Sequence, residues 1–239
     1  MKLMSAIVLA ATVMVLGVPA AAQNAEQILK KTREMYGALK SYSDSGVVLY
    51  EYASSSQDRY TFTTAFNRAP RHFLLDFHKP GGDQYVIWGD PDAFHTWWKT
   101  TGQQTDYPNP NNAPAIASSG YNTVGSAAKI PTLLYSKAAL GGNFSNYADV
   151  ELDGTEVIGG RRCYRLIGRA SDFYQATGRE VAIRRMTVWI DAESSLIRQI
   201  REESKALPGQ ISRVTTTYQP NADMTIDMGR FKFTPPESK

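Results

Sequence analysis

From Gly46 to Lys99 the apolar residues recur with a period of two, in five short runs: GVVLYEY, RYTFTTAF, RHFLLDFH, QYVIW and FHTWWK. Between them stand SSSQD, NRAP, KPGGD and GDPDA, whose Gly, Pro, Asp, Asn and Ser favour tight turns. Runs this close together leave room only for hairpin connections, so the segment is predicted to be a five-strand antiparallel meander. Alternation puts Tyr60, Phe62 and Phe66 on one face of the second run and Phe73, Leu75 and Phe77 on one face of the third. One face of this sheet is therefore rich in large apolar groups. In FHTWWK the side chains of Trp97 and Trp98 point to opposite faces, and each needs its own cover. A slip of one residue in register would exchange them.

Upstream, NAEQILKKTREMYGALKSY has helical spacing instead, with Asn24 as the predicted N-cap and Gln27 at the capping-box position. Ile28, Leu29, Met35, Tyr36 and Leu39 share a stripe, which predicts an amphipathic helix ending near Ser41. Downstream, TGQQTDYPNPNNAP has the composition of a loop. AIASSGYNTVGSAAKIPTLLYSKAAL then suggests one or two short helices interrupted at Gly120, Gly125 and Pro131, with Ile130, Leu133, Leu134 and Leu140 as their apolar side. A long insertion of this kind in a compact domain is usually functional or disordered.

The second half returns to strands: ADVELDG, TEVIGGRRCYRLIGR with a Gly159-Gly160 hairpin turn, VAIRRMTVWID, SLIRQIREES and QISRVTTTYQP. FKFTPPESK is expected to be a last short strand stopped by Pro235 and Pro236. The count is about ten or eleven strands with no linker of domain-boundary character, so residues 23–239 are expected to form one domain. The arginines of this half (Arg161, Arg162, Arg165, Arg184, Arg185, Arg198, Arg201 and Arg213) alternate with acidic and polar residues, which predicts a solvated convex face with cross-strand pairs.

The first 22 residues, MKLMSAIVLAATVMVLGVPAAA, read as a cleavable secretory leader: one lysine, a short apolar run and a small-residue exit. The run is shorter than the roughly 20 residues a spanning helix needs. A soluble protein exported to the periplasm is expected. Gln23, not cysteine, follows the cleavage point, so no lipid anchor is expected. The only cysteine, Cys163, lies within a predicted strand; it can form no internal disulfide and is expected to be a buried small hydrophobe. Loss of Lys2 with the leader takes the 26 basic residues to 25 against 23 acidic, a net charge of +2. That balance gives no reason to expect a nucleic-acid partner.

No GxSxG, Walker loop, dinucleotide fingerprint or HExxH is present. His72 and His78 flank Asp76 on one strand face, but six strand residues separate the histidines by about 20 Å, beyond the reach of a shared metal ion. Asp191 and Glu193 fall in a turn where Asp is favoured for local backbone bonding. Neither an enzyme nor a cofactor is expected.

Three stretches resemble the periplasmic lipoprotein carrier family LolA. RFKFTPPESK is similar to the Phe-x-Phe-x-Pro-Pro ending of that family. AFNRAPRHFLLDFHKPGGDQYVIWGD resembles its segment in which a strand ends in Arg-Pro and an aspartate-rich turn leads to an aromatic strand, and VWIDAESSLIRQI fits the same order. The resemblance implies an α+β fold, an incomplete, half-open antiparallel β-barrel whose helices cover an apolar concave face. It implies a carrier or binding protein for a lipid or the acyl chains of a lipoprotein, acting as a monomer with a transient membrane-protein partner. The alternative it offers is an envelope sensor that uses the same cavity. The expected ligand contacts are Phe62, Phe66, Arg68, Phe73, Leu75, Phe77, Trp88, Trp97, Trp98, Leu133 and Leu134. Arg68 maps onto the family's functional arginine, although an alanine stands between it and Pro70. In the empty state the resemblance assigns Arg68 to carbonyls of a lid.

Overall fold

The computed structural model describes residues 24–108, 125–135, 144, 146–174, 179–204 and 210–236. Helix α1 (Ala25–Ala38) starts with the predicted capping box, in which Gln27 N–H donates to Asn24 Oδ1 at 2.8 Å. It ends three residues earlier than expected. The chain turns directly into β1 (Ser41–Tyr52), which begins well before Gly46. Strands β2 (Gln57–Arg68), β3 (Arg71–His78), β4 (Gln84–Gly89), β5 (Phe94–Trp98) and β6 (Gln103–Tyr107) complete a first antiparallel meander.

The sixth strand corrects the reading of TGQQTDYPNPNNAP as loop. QQTDY carries no apolar alternation because it is an edge strand with little to bury, and it forms by backbone pairing with β5. Helix α2 (Lys129–Leu134) follows a 3-10 turn at Gly125–Ala128. Pro131 does not interrupt it, since it sits in the first turn, where its missing N–H has no intrahelical acceptor. Gly120 and Leu140 lie outside the described residues.

The second meander is β7 (Tyr147–Ile158), β8 (Arg161–Tyr174), β9 (Arg179–Asp191), β10 (Ile197–Glu203) and β11 (Ile211–Tyr218). Because β11 pairs with β1, the two meanders form one sheet in the order β6-β5-β4-β3-β2-β1-β11-β10-β9-β8-β7. Strand β12 (Asn221–Ala222) adds to the start of β1. The sheet ends at β6 and β7, so it curls without closing: an open half-barrel, as the resemblance implies. FKFTPP is not a strand. Met228–Phe231 is a 3-10 turn and the residues after it are extended but unpaired.

The concave face carries the core. Phe62, Phe66, Phe73, Leu75, Phe77, Ile87 and Phe94 from the first meander meet Leu166, Met186, Val188, Ile190, Ile197 and Ile200 from the second. Ile28, Leu29 and Tyr36 of α1, Leu39 just beyond its end, and Ile130, Leu133 and Leu134 of α2 close over them. Gly46 and Gly89 make the aromatic packing possible. A Cβ on Gly46 would overlap the ring of its cross-strand partner Phe62, and one on Gly89 would overlap Phe94.

Candidate functional site

The tryptophans separate as alternation requires. Trp97 lies on the convex face with Trp88, and both pack on Phe233 of the C-terminal segment, at ring distances of 5.4 and 4.9 Å. Phe231 packs against His72 on the same face. The Phe-x-Phe ending thus covers the outside of the sheet, and Trp88 and Trp97 are not groups of the concave face. Trp98 has concave-face parity but sits at the end of its strand. It is half-buried, its indole N–H donates to Asp83 Oδ2 at 2.8 Å, and Lys79 Nζ lies 5.1 Å from its ring centre. Phe62, Phe66, Phe73, Leu75 and Phe77 all fall on the concave face, together with Leu133 and Leu134.

Arg68 stands at the rim of this face, at the end of β2. Its Nε donates to Leu39 O at 2.6 Å, and its Nη2 donates to Tyr36 O at 3.1 Å and Leu134 O at 3.2 Å. One guanidinium therefore gathers carbonyls from the C-terminal ends of α1 and α2, where helix dipoles favour positive charge. Its carbon lies 5.1 Å from the Phe66 ring centre. The inserted Ala69 does not turn it away, because Arg68 remains paired with Arg71 across the two-residue connection. Partial burial lowers the Arg68 pKa from its usual value and the nearby Arg71 charge adds to this.

The other end of α2 is held by charge. Lys129 Nζ lies 3.1 Å from Oε1 of Glu202, and Arg184 Nη1 lies 3.4 Å from Oε2. Glu202 is almost wholly buried in the floor of β10. Arg184 corrects one expectation: it shares parity with Met186 and Val188 and joins Glu202, whereas Arg165, Arg169 and Arg213 form the expected ladder of pairs with Asp153, Glu156, Asp149, Glu203 and Glu51.

A second carboxylate, Asp44, is buried in β1 beneath α1. Tyr42 O–H donates to its Oδ2 at 2.7 Å, and Tyr36, whose hydroxyl accepts from Ile197 N–H at 3.1 Å, packs on Tyr42. Burial pushes the Asp44 pKa up to about 6, against the opposing hydrogen bonds of Tyr42 and Thr64. Sequence reasoning missed Asp44 by starting the strand at Gly46. It missed Glu202 and Arg71 although simple alternation places both on the concave side. Cys163 is buried in β8, as expected, and burial raises its thiol pKa.

His78 pairs with Asp76 at 3.1 Å and His95 with Asp106 at 2.8 Å. Among the described residues no group of His, Cys, Asp and Glu is arranged to hold a metal ion. Asp191 accepts from the N–H groups of Glu193 and Ser194 and pairs with Arg198, a structural turn. A cavity of about 390 Å³ lies between Ile158, Gly159, Arg198 and the segment from Thr217 to Asn221. None of the expected ligand contacts lines it.

Comparison with known sequences assigns the chain. The profile of the family described as "Predicted periplasmic protein (DUF2092)" matches residues 25–239. The chain belongs to this family. The family description places it in the periplasm, the location expected from the sequence. No curated protein matches. Among solved structures the chain is similar to the lipoprotein LppX of Mycobacterium tuberculosis, with 12% identity, a TM-score of 0.49 and coverage of 85% of this chain and 98% of that one. It is also similar to MucB in the MucA/MucB complex of Pseudomonas aeruginosa (13% identity, TM-score 0.47, coverage 87% and 60%). A LolA superfamily protein of Nitrosomonas europaea aligns with 11% identity and a TM-score of 0.34, covering 89% of this chain and 99% of that one. No helix among the described residues is long and apolar enough to cross a membrane.

Proposed function

We propose that the protein binds and carries an acyl-chain ligand, a lipid or an acylated protein, on the concave face of the half-barrel, with α2 as a lid that occupies the ligand's place when the protein is empty. The observation that carries this reading is the way α2 is held. Its apolar side chains lie on the aromatic floor, while Arg68 clips its last carbonyl to the end of α1. A half-buried arginine that bonds only carbonyls, with no carboxylate partner, is a contact that can open.

Magnitudes set the ligand's size. Burial of Ile130, Leu133 and Leu134 stabilises the closed lid by roughly 1.5–3 kcal/mol each, and a buried methylene contributes about 0.8 kcal/mol. A chain of roughly six to eleven methylenes therefore matches what the lid gives up. Shorter chains do not displace it.

The test is displacement of an environment-sensitive hydrophobic dye by fatty acids of increasing length, read together with hydrogen exchange over residues 125–135 in wild type and Arg68→Leu. Binding is expected to begin between about six and eleven carbons. Arg68→Leu should keep the fold, weaken lid protection by roughly 1.5–3 kcal/mol, the contribution of a charge-assisted hydrogen bond, and slow release of bound ligand. No dye or fatty-acid binding at micromolar levels would overturn the carrier reading, and unchanged protection would remove Arg68 from the lid mechanism.

A further inference from the structure

With the lid closed, the positive charge at the Arg68 rim meets no carboxylate among the described residues. Arg71 lies directly opposite Arg68 in the ladder and on the same face, a placement in which like charges repel. Among the described residues Arg71 makes no ion pair or hydrogen bond. Arg68 engages its three carbonyls through Nε and Nη2, which leaves both N–H groups of Nη1 without a partner among the described residues.

A third polar group joins them. Tyr135 follows α2 directly and is 7% exposed, with its ring edge-on to Phe66, Phe73 and Phe94 at 5.5, 6.0 and 6.3 Å. Among the described residues its hydroxyl is buried without a hydrogen-bond partner, an arrangement that folded proteins seldom leave unsatisfied. Burial raises the phenol's pKa, so it stays protonated and able to donate, and both arginine charges act on it, Arg71 the more strongly. Nη1 of Arg68, the Arg71 guanidinium and a buried O–H donor, none with an acceptor among the described residues, stand beside an aromatic floor.

We propose that Arg71, Nη1 of Arg68 and the Tyr135 hydroxyl form an oxyanion site at the rim of the concave face, which holds the acidic head group of the acyl-chain ligand while the chain lies over Phe66, Phe73 and Phe94. A carboxylate or phosphate accepts from the forked donors of arginine with matching geometry and neutralises the opposed pair. A neutral ester carbonyl accepts a single such bond but brings no charge to neutralise the pair. The site rests on the acyl-chain reading above and narrows it to acidic amphiphiles.

The experiment is calorimetric titration of the full chain with oleate, oleoyl lysophosphatidate, mono-oleoylglycerol and inorganic phosphate, on wild type, Arg71→Gln and Tyr135→Phe. At least one of the two acidic lipids is expected to bind about tenfold or more tightly than the glyceride, the scale of one charge-assisted hydrogen bond. The tighter of the two names the head group. Arg71→Gln should erase that preference and leave glyceride affinity unchanged, and Tyr135→Phe should reduce it. Equal binding of acidic and neutral lipids, or a preference that survives Arg71→Gln, overturns the oxyanion site while the acyl-chain reading stands. Binding of no lipid at all overturns both. Inorganic phosphate binding as tightly as the lysophosphatidate would make the occupant a free ion and overturn the amphiphile.

Discussion

The two meanders face the same core but cover their outer surfaces by different means. The convex side of β3–β5 is aromatic, with Trp88 and Trp97 pointing outward, and the distant C-terminal segment supplies Phe231 and Phe233 as cover. The convex side of β8–β10 covers itself. Trp189 there is buried beneath Arg201, whose guanidinium carbon is 5.1 Å from its ring, and its N–H donates to Glu156 at 2.8 Å, next to the Arg165 pairs. Long charged side chains lay their apolar stems over a ring and keep their charge in water, so the second meander depends on neighbours within its own hairpins. The first depends on residues more than a hundred positions away. The inner faces differ too: arginines stand at the first meander's rim, and a buried glutamate lies in the second meander's floor, with α2 spanning between them.

Truncation of the tail-covered tryptophan should break this contrast most severely. Trp97→Ala is expected to cost about 3–5 kcal/mol, the range for large-to-small changes at a buried aromatic. Chemical denaturation gives the total, and native-state hydrogen exchange gives the place. Protection should fall across β3–β5 and persist across β8–β10; equal loss in both would mean that the halves are not independently covered.

Asp44 lies at the seam, on the strand where the two meanders join. Its folded pKa, about 6, exceeds the ordinary 3.8, so the folded state binds the proton more tightly. Its charge therefore weakens the fold above pH 6, and stability returns as pH falls from about 6 towards 4, by on the order of 3 kcal/mol. The difference in unfolding free energy between wild type and Asp44→Asn, followed from pH 7 to pH 4, isolates this group from the other carboxylates. A difference that does not change with pH would show that Asp44 is already neutral or is solvated. The smallest effect is expected on the self-covered face: Arg165→Ala, which removes its pairs with Asp153 and Glu156, should change stability by less than about 1 kcal/mol and be insensitive to salt in the mutant. A loss several times larger would mean that the ladder acts as one network.

Much of this arrangement was legible. The capping box at Asn24 and Gln27 and the concave parity of Phe62, Phe66, Phe73, Leu75 and Phe77 are local patterns, and the structure reproduces them. Arg71 and Glu202 follow the same alternation, but a charged residue in a strand is ordinarily solvated, so parity alone does not mark either as facing inward. Strand β6 was not legible. Its polar composition lacks any apolar period, and only the backbone groups of β5 make it a strand. The tail misled for the opposite reason, since FKF alternates like a strand yet packs on the outer face as an extended, unpaired segment.

The sequence by itself determined where the chain alternates, where it turns and which side chains share a face, because each of these depends on residues one to four positions apart. The tertiary structure alone decided what each face meets. Trp97 is covered by Phe233, and Arg68 reaches carbonyls 29, 32 and 66 residues away. A carbonyl acceptor leaves no mark in a sequence, since every residue carries one. Which of them an arginine finds is set only when two helix ends are brought over the same rim.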